Sequence, residues 1–191
     1  WEFLFITTIC LGMFLLQFTK RKTQDSISGI AITLFGIFYV GWFFSFLVKI
    51  RTVDLLVQDG RMMVAFLLIV TKSGDIGAYF SGTYLGKHQL ISAISPKKSL
   101  EGAVGGFFSS FLIAIISRGL MPEVPFVHII ILGMLLGLLG QIGDLSESLI
   151  KRDCQIKDSS TLFKGLGGML DIIDSLLFTT PTFYFYIRFL S

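Results

Sequence analysis

Six stretches of mostly apolar residues, most of them near the length that crosses a bilayer as a helix, constrain this chain more than any other feature. They cover residues 1–18, 30–48, 62–85, 103–117, 126–142 and 172–190. A hydrocarbon core about 30 Å thick takes about 20 apolar helical residues, fewer where flanking side chains snorkel. The fourth stretch is short and polar residues interrupt the third. Composition agrees: of 191 residues, 53% are hydrophobic and 15% charged, 20 are phenylalanine, and the mean hydropathy is +0.77. A soluble globule of this size has too little interior to hide so much apolar surface. Disorder is excluded as well, because disordered chains are poor in hydrophobic and aromatic residues. The predicted fold is all-α, a polytopic transmembrane helical bundle of about six spans. With no internal repeat or linker, residues 1–191 read as a single integral membrane domain.

Charge placement orients the spans. Lys20, Arg21 and Lys22 follow the first apolar run instead of preceding it, and no small-residue cleavage site is evident, so that run is not a signal peptide. The chain opens on Trp1 instead of methionine, so it reads as either a fragment or a processed product, with upstream elements left open. Basic loop residues are retained on the cytoplasmic side. Placing the cluster at 20–22 inside puts segments 19–29, 86–102 and 143–171 inside too, with ten Lys or Arg against five outside. A net charge of +3 is too small to point to nucleic acid. Cys10 sits in an apolar run and Cys154 in a charged segment, so both read as free thiols.

Polar residues inside the third stretch need a reason. Nine apolar residues, 62–70, rise about 13 Å as helix, which sets Lys72 and Asp75 near mid-bilayer. An ionised group there costs about 3 kcal/mol even on lenient scales, so it needs a partner or a wet cavity. Three residues apart, the two share a helical face and can pair. A purely structural ion pair is the plain reading, but intramembrane charges default to function. Gly74, Gly77, Gly82 and Gly86 add the option of close helix contact.

Two inside segments concentrate polar chemistry. The first holds Gly86-Lys87-His88 and then Ser95-Pro96-Lys97-Lys98-Ser99-Leu100-Glu101-Gly102, where lysines beside hydroxyls offer phosphate donors. The same residues would equally serve as a topology signal or a headgroup anchor. His88 has no His or Cys beside it for metal ligation, and His128 reads as an interfacial residue. The second runs from Gln141 to Ser175 and holds Asp144, Lys151-Arg152, Lys157-Asp158, Gly165, Gly167-Gly168, Asp171 and Asp174. Asp171 and Asp174 share one face where a helix re-enters the membrane. Carboxylates at a bilayer edge suit magnesium, which takes one or two of them and completes its shell with water and phosphate oxygens. Glycines let a backbone approach phosphate, and lysines offset the remaining charge.

From Ser148 to Asp174 the chain resembles the signature of the phosphatidate cytidylyltransferases, or CDP-diacylglycerol synthases. The matching residues are Ser148, Ile150, Lys151, Arg152, Lys157, Asp158, Ser160, Gly167, Gly168, Asp171 and Asp174. The run from Asp75 to Gly82, with 86–88 and 95–102, is similar to the family's other hallmark, so the resemblance covers about 64–180 as a catalytic region. Two departures stand out. Lys164, Gly165 and Leu166 occupy places where the family has proline, glycine and histidine, and Ile172 stands in place of an arginine.

The resemblance implies a nucleotidyltransferase that makes CDP-diacylglycerol and diphosphate from CTP and phosphatidic acid in phospholipid biosynthesis. Magnesium is its implied cofactor, as one ion or a two-cation centre. On that reading Asp144, Asp171 and Asp174 hold the metal, and Lys151 and Asp75 join them as catalytic residues. Ser95, Lys97, Lys98, Arg152, Lys157, Gly167 and Gly168 bind substrate. Partners would be CTP, phosphatidic acid and membrane lipids, with no nucleic acid and a homodimer left open. The setting would be a bacterial inner membrane with the site facing the cytoplasm. The alternatives are a CTP-dependent lipid kinase, a transporter and a catalytically silent scaffold. A CDP-alcohol phosphotransferase lacks its upstream Asp-Gly and Ala-Arg elements here.

Overall fold

The computed structural model describes residues 2–19, 25–52, 59–156, 159 and 168–190, and these are almost wholly helical. In chain order they form α1 (Glu2–Phe18), α2 (Ser26–Gly36), a π-helical turn (Ile37–Trp42), α3 (Phe43–Thr52) and α4 (Gly60–Leu85). A two-stranded hairpin, β1 (Gln89–Ile91) and β2 (Ser95–Ser99), leads into α5 (Leu100–Ile116). A 3-10 turn (Ser117–Leu120), α6 (Phe126–Asp153) and α7 (Met169–Leu190) complete the fold.

Helices therefore stand at all six expected places. Four of them, Ser26–Thr52, Gly60–Leu85, Leu100–Leu120 and Phe126–Asp153, are long and apolar enough to cross a membrane, and Leu4–Phe18 is a shorter apolar helix. The protein is an integral membrane protein whose described residues are helical apart from the hairpin and short turns. Its exposed side chains say the same: Ile69, Phe80, Phe108, Leu112, Leu138 and Phe185 all point outward. In water that surface would aggregate, whereas in lipid it is the expected exterior.

Residues divide into two compact units, Trp1–Phe43 and Phe44–Ser191. In the first, Gln17 Nε2 donates to Ser26 Oγ at 2.5 Å, joining α1 to α2. Its π-helical turn carries aromatic contacts, with Phe35 stacked on Tyr39 at 5.5 Å and Phe38 edge-on to Trp42 at 6.2 Å. The second unit is built around α4–α7. One end of that bundle is an apolar core of Ile50, Met63, Phe66, Leu67, Val70, Met121, Ile129, Leu132, Leu136, Phe183 and Ile187.

Helices α4 and α5 approach through small residues, as membrane helices do when packing rather than hydrophobicity drives association. A Cβ added to Gly106 would lie 2.8 Å from the Gly74 carbonyl oxygen and 2.9 Å from Ala78 Cβ. Ser109 Oγ donates to the Ser73 carbonyl, and Ser110 Oγ to that of Val70. Caps fix the helix starts: Asp59 accepts from Arg61 N at 2.8 Å, and Ser99 from Gly102 N at 3.1 Å. Pro181 interrupts the ladder of α7, where Thr179, Thr180 and Thr182 donate their hydroxyls to the carbonyls of Ser175, Leu176 and Phe178.

Within segment 86–102, residues 89–99 form the hairpin, and one local expectation changes: α6 does not stop near residue 142 but continues to Asp153. No glycine or proline breaks α6 after Gly143, and Asp144 and Lys151 find partners across the bundle in Lys98 and Asp171, so the helix has no reason to end. It closes at Gln155, whose φ of 57° is left-handed. There Gln155 N–H bonds Arg152 O and Ile156 N–H bonds Lys151 O, a Schellman motif.

Candidate active site

The polar end of the second unit contains a cavity of about 560 Å³. Helix α4 contributes Asp75, Tyr79 and Thr83, the hairpin Ser95, Lys97 and Lys98, and α6 Gln141 and Asp144. One wall is thus basic and hydroxylic and another acidic. Glycines hold the walls together: Gly82 and Gly102 line the cavity, and a Cβ on Gly102 would stand 3.1 Å from Gly82 Cα. Gln141 is fixed by donating to the carbonyls of Ala103 and Gly137.

Each acid at this end has a named partner. Lys72 Nζ lies 2.7 Å from Asp75 Oδ2 and donates to Ser175 Oγ at 2.8 Å, while Ser175 Oγ donates to Asp75 at 3.0 Å. The mid-bilayer pair read from the spacing of Lys72 and Asp75 therefore forms, with a third member from α7. Lys98 reaches Asp144 at 3.3 Å. Asp144 in turn faces Asp75 and Asp174 closely enough for the charges to repel. Asp174 is buried and accepts from Ser175 N at 2.6 Å. Its approach to α6 depends on Gly143, where a Cβ would stand 2.5 Å from the Asp174 carbonyl oxygen.

Asp171 is held differently. Lys151 Nζ bridges Asp171 Oδ1 and Glu147 Oε2 at 2.6 Å each. Asp171 Oδ2 also accepts from Ser159 N, Ser159 Oγ and Gly168 N. Asp144, Glu147 and Lys151 follow one face of α6, so Asp144 and Asp171 sit at the same end of the bundle, linked through the Glu147–Lys151 pair. Glu147 is almost fully buried, and its Oε1 has no hydrogen-bond partner.

Most site residues read from the sequence meet at this end. Asp75, Ser95, Lys97, Lys98 and Asp144 share the cavity; Asp174 adjoins Asp144; Lys151, Gly168 and Asp171 form the neighbouring cluster. Arg152 instead donates through Nε to the Ile94 carbonyl at 3.2 Å, at the hairpin's turn. Lys157 and Gly167, with Asp158 and Ser160, lie outside the described residues, as do Lys20, Arg21 and Lys22. Sequence reading missed Glu147, although Asp144, Glu147 and Lys151 are spaced three and four apart, a helical signal hidden by ending the helix at 142. It missed Ser175 too, whose partners Lys72 and Asp75 are about a hundred residues away and gave no local sign.

Chemically, the end combines a nucleotide-sized cavity, hydroxyl and ammonium donors, and hard oxygen ligands. The size lies in the range usual for small-molecule sites, about 300–1,000 Å³. Among the described residues no three His, Cys, Asp or Glu side chains are grouped to hold a cation, and lysines pair with Asp144 and Asp171. The donor set is of the kind a hard divalent cation takes: Asp144, Asp171 and Asp174 are carboxylates, and one buried Glu147 oxygen is unpartnered.

Comparison with known proteins agrees with this chemistry. The model of the Cytidylyltransferase family matches residues 1–190. A phosphatidate cytidylyltransferase from Bacillus subtilis is 38% identical over 84% of this chain and 58% of its own length. One from Synechocystis is 33% identical over 96% of this chain and 70% of its own. A protein of Escherichia coli named "Uncharacterized protein YnbB" is 36% identical over 97% of this chain and 64% of its own. The chain thus spans less than two thirds of the Escherichia coli and Bacillus relatives. With the family model matched from end to end and these relatives over most of the chain, this protein belongs to the cytidylyltransferase family.

Proposed function

We propose that this chain is the catalytic part of a phosphatidate cytidylyltransferase, converting CTP and phosphatidic acid to CDP-diacylglycerol and diphosphate. The observation that carries the reading is the cavity with Lys97, Lys98 and Ser95 on one side and Asp75 and Asp144 on another, set at the end of apolar helices. Two relatives bearing that enzyme's name support it.

A phosphatidate oxygen attacks the α-phosphorus of CTP in line. A new P–O bond forms, the bond from that phosphorus to the oxygen bridging to the β-phosphate breaks, and pyrophosphate leaves with the electron pair. Both reactants are anions and the attacking oxygen is already nucleophilic, so catalysis rests on alignment and charge neutralisation. Lys97, Lys98 and Ser95 bind the triphosphate, with Arg152 and Lys157 adding positive charge, and Gly167 and Gly168 letting backbone approach phosphate. Asp75, oriented by Lys72 and Ser175, positions the donors around it. Asp144, Asp171 and Asp174 would hold magnesium, as one ion or two, with Lys98 and Lys151 yielding their places on Asp144 and Asp171. Held by those carboxylates, a divalent cation would supply Lewis-acid polarisation and positive charge.

The diacyl chains stay in lipid while the headgroup enters the cavity. The active site faces the cytoplasm of a bacterial inner membrane, a reading supported by the ten-to-five bias of basic residues toward the hairpin side. The test uses the full-length protein in vesicles containing phosphatidic acid, with CTP and magnesium. Equal amounts of CDP-diacylglycerol and pyrophosphate are expected. Release of CDP with a phosphorylated lipid would make it a lipid kinase, and failure to bind CTP would make it a silent scaffold.

A further inference from the structure

The hairpin that carries Lys97 and Lys98 cannot hold its own shape. Its strands are three and five residues long, and the register shifts between Gln89 and Ile91. An isolated two-stranded hairpin is marginal even with good pairing. Something outside it must therefore set where the lysines stand.

One carboxylate gathers its base. Glu101, in the first turn of α5, accepts through Oε2 from Lys87 N at 3.0 Å and His88 N at 3.2 Å. Its Oε1 meets His88 Nδ1 at 2.6 Å. The Leu100 N–H closes the base by donating to the His88 carbonyl at 2.8 Å. Helix α5 is in turn seated on α4 by the close glycine contacts, so Glu101 is a fixed point. At the far end of the hairpin the Arg152–Ile94 bond ties the turn to α6. Glu101 does not line the cavity that Lys97 and Lys98 line, so it acts on a ligand there only through the hairpin.

We infer that Glu101 is the positioning residue that holds Lys97 and Lys98 against the triphosphate of the bound nucleotide. The inference rests on the proposed function for what occupies the cavity. A helix-start acid that merely complements the α5 dipole would behave otherwise: its loss would lower stability without separating nucleotide from lipid binding.

The test compares wild type, Glu101→Ala and Glu101→Gln as full-length protein in lipid vesicles, reading CTP affinity, phosphatidic acid KM, and amide hydrogen exchange over 87–99. Three hydrogen bonds to a charged group are lost in Glu101→Ala, so its CTP Kd should rise about tenfold or more. Phosphatidic acid KM should stay within about twofold, and exchange should quicken in the hairpin but not in α6. Glu101→Gln keeps an acceptor for the backbone N–H groups and should recover most of the loss. Unchanged CTP affinity in folded Glu101→Ala overturns the inference, as does an equal loss for both substrates. Should Glu101→Ala fail to fold, Glu101→Met, which keeps the length of the side chain without its oxygens, decides: wild-type CTP affinity together with wild-type exchange in that variant overturns it. Wild-type protein that binds no CTP sinks the functional reading instead, and the exchange arm still decides whether Glu101 holds the hairpin.

Discussion

The same helices build two unlike ends of the α4–α7 bundle. At one end Met63, Phe66 and Val70 of α4 meet Ile129 and Leu136 of α6 and Phe183 and Ile187 of α7, all buried and apolar. One or two turns further along, Thr71, Lys72 and Asp75 of α4 face Asp144 and Glu147 of α6 and Asp174, Ser175 and Thr179 of α7. The apolar end holds by packing, which does not rearrange without leaving voids. The polar end holds by ion pairs, Lys72 on Asp75, Lys98 on Asp144 and Lys151 on Asp171, each of which a phosphate or a cation can exchange. Rigidity and reactivity are thus divided along each helix, and substitutions at the two ends should separate stability from activity.

The largest effect belongs to the apolar end. Phe183 is fully buried with its ring 6.1 Å from that of Phe66. Phe183→Ala should cost about 3–5 kcal/mol of stability, as large-to-small core changes do. Unfolding followed in detergent micelles measures it, and specific activity of the surviving folded fraction should remain close to wild type. A folded, stable variant with lost turnover would break the division between the ends.

Asp171→Asn should do the reverse. Lys151 keeps Glu147 as a partner, so the fold should persist. Turnover should fall about 10²–10³-fold, the usual cost of removing a group that stabilises transition-state charge. Asp144→Asn should behave alike, because Lys98 loses only an exchangeable partner. Near-normal turnover in either folded variant removes that residue from the cation site.

A smaller change probes how the ends are joined. Gly143→Ala places a Cβ against the Asp174 carbonyl and 3.0 Å from Ser175 Cα, where backbone must move. Overpacking of this kind costs about 1–3 kcal/mol. Because the displaced segment carries Asp174 and Ser175, stability and turnover should fall together here, unlike at Phe183 or Asp171. Loss of stability with full turnover would show that the spacing of α6 and α7 does not matter to the site.

What the sequence disclosed follows from the range of the forces involved. Spans were legible because lipid demands long apolar runs, and the Lys72–Asp75 pair because three residues along a helix is a local distance. Asp171 and Asp174 are legible by motif and Asp144 as an acid at the end of an apolar run, yet their partners are not. Lys98 on Asp144 and Ser175 on Asp75 join different helices, and no local pattern records which face of one helix meets another. The hairpin is not legible in the sequence, since Pro96 and two lysines carry no strand signal and the pairing depends on anchors at Glu101 and Arg152. Glu147 was lost through a boundary error, because an apolar count ends α6 where its function begins.

The smallest effect tests where that helix does end. Gln155 adopts φ 57° to close the Schellman motif after Cys154, a conformation that glycine takes freely and a residue with a Cβ does not. A left-handed residue costs about 1–2 kcal/mol, and glycine gives back about half of that through the freedom it adds to the unfolded chain. Gln155→Gly should therefore stabilise by about 0.5–1 kcal/mol, a rise of a few degrees at most in Tm. Turnover should not change, because the Gln155 side chain has no partner at the site among the described residues. Destabilisation would mean that the residue is held by something its backbone does not reveal, and that α6 ends at Asp153 for a reason other than its cap.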